Sequence, residues 1–211
     1  MKTLLFKYRT THSRRVVLYE KTEIVNFKLI IYSLVFLPFT LFGQDEIKHQ
    51  IDSLQYVNDM PYICRDNVEN NNELSIGCGD KVFWNVVKQK KKAIPFLLEK
   101  LNDSTMTVAN VPNFGYNYSV ADIAYVALEE IIHDIPTFEL LGVEFDQEGC
   151  GYCSYWQHLN KNYENRKNFK IAVQNWYDSN KNKLVWVENN EFSSCDCSGT
   201  HPNNGHYELK K

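Results

Sequence analysis

Several absences bound this 211-residue chain. It has no Gly-x-Ser-x-Gly elbow to present a nucleophilic serine and no glycine-rich loop to cradle phosphates. Serine hydrolysis and P-loop nucleotide chemistry are thus without sequence support. No uncharged apolar run reaches the roughly 20 residues that a membrane-spanning helix needs. The longest, residues 29–42, also contains Pro38, which opposes a regular helix. No cysteine stands directly after that run, so a lipid-attachment signal of the lipoprotein type is not expected. Positive charge is not in excess either, with 23 Lys and Arg against 26 Asp and Glu.

What the first forty-odd residues do contain reads as an export leader. Lys2, Lys7, Arg9, Arg14, Arg15, Lys21 and Lys28 precede the apolar run, which ends at Gly43-Gln44 before an acidic, polar stretch. A basic region, a short apolar centre and a small residue at its exit are the parts of a secretory signal. Residues 1–44 are therefore expected to be a removable leader and residues 45–211 a single domain working in the periplasm, at the cell surface or outside the cell. A membrane would be met only through an uncleaved leader.

Seven of the basic and two of the acidic groups lie in 1–44, which leaves the domain at a net charge of −8. A domain of that charge repels phosphate backbones, so nucleic acid is not expected as a partner. Its one basic run, Lys88, Lys90, Lys91 and Lys92, reads as a solvated helix face or turn.

All six cysteines fall after residue 44: Cys64, Cys78, Cys150, Cys153, Cys195 and Cys197. An even number in an exported chain reads first as disulfides. Cys64 with Cys78 would close an Asn-rich loop, worth about 3 kcal/mol in the chain-entropy model. The other four, as two close pairs, could clip the C-terminal tail to the loop before Tyr152.

Helical spacing of apolar residues recurs over 45–57, 81–91, 93–103, 123–133 and 168–180. A more polar helix is expected from Tyr155 to about Asn165, and Leu184-Val-Trp-Val187 reads as a short strand. Residues 104–118 read as a turn-rich insertion, and Ser119-Val-Ala-Asp122 as a capping box. From Glu188 the chain reads as tail.

The pair of helices within 93–133, one ending in Leu101-Asn-Asp103 and the other carrying Ala124-x-x-Ala127-Leu128-x-x-Ile131, resembles a HEAT-type helical hairpin. That resemblance implies a mainly α domain with one or two HEAT-like hairpins and a surface for binding, not a chemistry.

Four constellations could carry chemistry. Cys150-Gly-Tyr-Cys153 resembles the dithiol motif of some periplasmic disulfide isomerases. A thioredoxin-like sheet and cis-proline loop should then follow, yet the sole later proline is Pro202. Cys150, Cys153, Cys195 and Cys197 offer four thiolates for zinc, although an oxidising compartment favours disulfides. Glu46 with His49 and Glu130 with His133 repeat the Glu-x-x-His spacing of di-iron bundles, and read here as two solvated helix faces. Phe114, Tyr116 and Tyr118 give the insertion a candidate binding surface.

The function expected from these residues is a non-enzymatic, disulfide-braced binding or structural module without a cofactor. Its partner would be another protein or a surface polymer. The alternative is a thiol-redox or zinc-dependent enzyme using the Cys150/Cys153 and Cys195/Cys197 clusters.

Overall fold

A computed structural model describes residues 45–61, 77–111, 115–145, 152–189 and 201–210. The chain divides into two units, Met1–Glu46 and Ile47–Lys211, and the fold described below is that of the second. It is mainly α. Helix α1 (residues 45–52) runs into a 3-10 turn at Ser53–Tyr56. Then follow α2 (Lys81–Val87), a 3-10 turn at Lys90–Lys92, and α3 (Ile94–Lys100). Strands β1 (Met106–Asn110) and β2 (Asn117–Ser119) lead to α4 (Val120–Ile131), α5 (Thr137–Leu141), α6 (Cys153–Lys161) and α7 (Tyr163–Asn180). Strands β3 (Leu184–Glu188) and β4 (Gly205–Leu209) close the order.

Helix α4 is the centre, because it is apolar almost all round. Ile123, Ala124, Ala127, Leu128 and Ile131 are fully buried, and α2, α3, the 3-10 turn Ser53–Tyr56 and β4 all pack on this helix. Its alanines allow close approach by those neighbours. On another face, Tyr125 lies edge-on to Phe169 of α7 and stacks with Tyr155 of α6. The capping box expected at Ser119 is present: Ser119 Oγ accepts from Asp122 N–H, and Asp122 Oδ2 accepts from Ser119 N–H. Asp122 does more than cap. It is buried and receives Arg166 Nη1 at 2.7 Å, while Arg166 Nη2 reaches Asn160 Oδ1 at 2.8 Å.

Three local readings change. The insertion contains a β-hairpin: Met106 pairs with Ser119 and Asn110 with Asn117, antiparallel, with an irregularity between. Thr107 ties it further, its Oγ1 donating to the Tyr118 carbonyl while its own carbonyl accepts from Asn117 Nδ2. The helix boundary expected near residues 165–168 falls instead at Asn162, whose extended backbone stops α6 and whose side chain caps α7 by accepting from Asn165 N–H. The tail is not all tail, since Gly205–Leu209 pairs in register with Leu184–Glu188.

The loop entered at Asn58 is pinned at both described ends. Asp59 accepts from the N–H groups of Gly77, Cys78 and Gly79 at 2.8–3.1 Å. In return, Asp80 accepts from Asn58 N–H and caps α2 through Phe83 N–H. Three backbone donors on one carboxylate form an anchor beside the antiparallel bridge of Pro61 with Cys78 and the bond from Asp80 N–H to the Asp59 carbonyl.

Candidate functional site

The last turn of α4 sends titratable side chains to two sides, because consecutive helical residues point about 100° apart. Glu129 turns toward α5. Its Oε1 accepts from Thr137 Oγ1 at 2.8 Å, and Thr137 Oγ1 lies 2.7 Å from the Tyr125 hydroxyl. With the single threonine proton given to Glu129, Tyr125 must be the donor to Thr137. Loss of hydration pushes the Glu129 carboxyl up to about 7, with the neighbouring Glu130 charge adding to it. The hydrogen bond from Thr137 opposes the shift. Beyond this chain of hydroxyls lies a run of mutually edge-on rings formed by Phe138, Phe145, Tyr152 and Tyr155. Burial raises Tyr152 to about 12, so it stays a neutral phenol.

Glu130 and His133 turn the other way, toward the C-terminal ribbon. Glu130 Oε2 is 3.3 Å from His201 Nε2, and the His201 ring meets Trp84 edge-on. His133 stacks on His206 of β4, ring centres 3.4 Å apart and planes 13° from parallel. His206, itself buried, reaches Glu208 Oε1 at 2.7 Å through Nε2. Loss of hydration and the neighbouring His206 together hold His133 below the ordinary imidazole range. Three imidazoles and two carboxylates thus gather where α4 meets β4. Among the described residues, no group of three or more His, Cys, Asp or Glu could hold a metal ion.

The second Glu-x-x-His pair is therefore not simply a solvated face, because each member has a partner from β4 or the segment before it. The first pair, Glu46 and His49, is exposed on α1. In the sequence His201 and His206 read as tail residues lying close behind the candidate zinc ligands Cys195 and Cys197. The available signal was the strand-like alternation of Gly205-His-Tyr-Glu-Leu209, read against the Leu184–Val187 strand.

Of the proposed binding rings, Phe114 lies outside the described residues. Tyr118 is buried and Tyr116 is half-buried, both edge-on to Trp156. Burial raises the Tyr116 phenol to about 12. The hairpin instead displays Met106 and Val108, which are 58% and 66% exposed, beside the turn carrying Tyr56 at 65%. Cys78 and Cys153 are each disulfide-bonded, whereas Cys64, Cys150, Cys195 and Cys197 lie outside the described residues. The lysine run is partly engaged: Lys90 Nζ sits 3.7 Å over the Trp186 ring, and Lys91 donates to the Leu184 carbonyl.

A groove of about 390 Å³ opens beside α1 and α3, lined by Lys48, Asp52, Phe96, Glu99, Lys100 and Asp103 among others. Lys100 pairs with both Asp52 and Asp103 there, so its charge is already matched. No protein-family model, curated protein or solved structure matches this chain.

Proposed function

We propose that the domain is an exported binding module, braced by disulfides, whose contact surface is the exposed side of the β1–β2 hairpin. One observation carries this reading. Along β1 the burial is inverted, with Thr107 and Ala109 inside and the larger apolar Met106 and Val108 in water. A hairpin lying on a core ordinarily turns its apolar residues inward. Here two are turned outward next to exposed Tyr56, on a backbone held by a central helix. Apolar side chains displayed this way mark a contact site for another molecule. The partner class is another protein or an apolar surface polymer. The domain's negative balance keeps nucleic acid out.

Disulfide bracing fits an exported module with long loops. The pairing proposed is Cys64 with Cys78, with Cys150 and Cys153 joined to Cys195 and Cys197. The disulfide-bonded state of Cys78 and Cys153 supports bracing over a free dithiol. The HEAT-like reading of α3 and α4, which pack on one another, agrees with a scaffold that offers a surface and not a reaction.

A photo-crosslinking amino acid placed in turn at Met106, Val108 and, as a control, the exposed Ile171 of α7 tests the contact surface in the producing cell. The reading expects discrete adducts from the two hairpin positions and none from the control. Adducts of equal strength at all three, or none at any, would contradict it.

A further inference from the structure

We propose that the His133–His206 stack is a two-proton acid latch that releases the β3–β4 ribbon from the end of α4. The ribbon docks there by a short seam. His133 N–H donates to the Tyr207 carbonyl at 3.1 Å, the residue pair Ile132 and Tyr207 forms a parallel bridge, and Leu209 N–H reaches Asp134 Oδ2 at 2.6 Å. At the centre of the seam the two imidazoles lie face to face at 3.4 Å.

Every charged or titratable group facing that stack bears on the latch. From α4 and its end come Glu130 and Asp134. His201 comes from the segment before β4, and Glu208 and Tyr207 from β4 itself. The Lys90–Lys92 turn contributes Lys90 over Trp186 and Lys91 over Tyr207.

Two of the three histidines have carboxylates of their own. A proton on His201 strengthens its contact with Glu130, and one on His206 strengthens its contact with Glu208. Neither event opens the seam. Among the described residues His133 forms no ion pair; the charges of Glu130 and Glu208 favour its protonation, but burial and the neighbouring His206 outweigh them. One charged ring over a neutral one is tolerated, and even favoured, as a cation over a π face. Two charged rings at this spacing are not, because like charges in close contact oppose ionisation.

A second observation loosens the same place. Asn203 is buried between His201 and β4, and among the described residues its Oδ1 has no hydrogen-bond partner, although its Nδ2 donates to the Gly205 carbonyl. An unsatisfied buried acceptor regains water on release, so undocking recovers what docking costs there. The stacked pair thus resists a second proton while docked, and Asn203 Oδ1 gains a water partner once the ribbon leaves.

Hydrogen exchange of the whole chain at about pH 7.5 and about pH 5, the range in which histidines titrate, tests the latch. After correction for intrinsic exchange, amides of 205–209 should lose about tenfold or more of their protection at the lower pH. That loss corresponds to one pKa unit of differential proton binding. The centre of α4 should remain protected. His133→Phe keeps a flat ring over His206 but cannot charge, and should abolish the additional loss. Unchanged protection of 205–209 in the native chain would overturn the proposal, as would the same loss in H133F. Should the variant fold poorly, an NMR titration of the native imidazoles decides. Double protonation of His133 and His206 with 205–209 still protected overturns the latch, and double protonation coinciding with loss of protection upholds it.

Discussion

At the level of single residues, Glu129 in the last turn of α4 and His133, two residues beyond its end, tilt the pH dependence of stability in opposite directions. The Glu129 carboxyl rises from 4.5 to about 7 on folding. Between those values the folded chain binds more protons than the unfolded one, so this contribution to stability is lost as pH rises. His133 is depressed from 6.5. Its contribution is complete above 6.5 and is lost as pH falls below that value. Glu129→Gln keeps an acceptor for Thr137 Oγ1 and removes the charge. Urea unfolding should find this variant close to the native protein at about pH 5 and more stable by on the order of 1 kcal/mol at about pH 8. An equal effect at both pH values would refute the assignment. Residue-level features were unevenly legible. The Ser119–Asp122 box could be read because cap and partner are three residues apart. Arg166 could not, since a charged residue early in a polar helix reads as exposed, and its partner Asp122 is 44 residues away. Asp59 was hidden similarly, as its three donors lie 18 to 20 residues on.

Among the elements, most helices followed from apolar spacing, the short α5 read only as a turn, and the two ribbons were only half seen. The strand at Leu184–Val187 was visible, but its partner lies beyond a long polar stretch and carries a histidine, His206, so the pairing had no local signal. Residues 106–110 alternate, yet with burial the reverse of the usual sense, so hydropathy alone concealed the strand. The C-terminal ribbon also depends on a glycine. Gly205 has φ +144, and a Cβ there would collide with the Val187 carbonyl oxygen and stand 2.8 Å from a Trp186 ring carbon. Gly205→Ala should therefore cost roughly 2 kcal/mol or more. Gly142, which ends α5 at φ +67 with Val143 N–H closing on the Phe138 carbonyl, has open space around it. Gly142→Ala should lose only about 1 kcal/mol, the left-handed penalty alone. Denaturant unfolding of both variants checks the contrast, and equal costs would remove the steric role given to Gly205.

At the scale of the whole molecule, one central helix organises the domain, and it is what lets a two-stranded hairpin display apolar side chains. An isolated hairpin of two strands is marginal in water. Here β2 leads directly into α4, and Tyr116 and Tyr118 beneath the hairpin rest on Trp156. Of the rings expected from the sequence to form a contact surface, Tyr116 and Tyr118 pack against Trp156, and the exposed apolar residues near them are Met106 and Val108 of β1. Among the described residues, no helix is long and apolar enough to cross a membrane. An exported, disulfide-braced module is the reading proposed for this domain. Its most direct test is the intact mass of the chain recovered without reductant, alkylated before and after reduction. The expected result is the mass of a chain that begins near residue 44, with no thiol labelled at first and six labelled once reductant is added. Two or more thiols labelled without reductant, or a mass that retains residues 1–44, would contradict it.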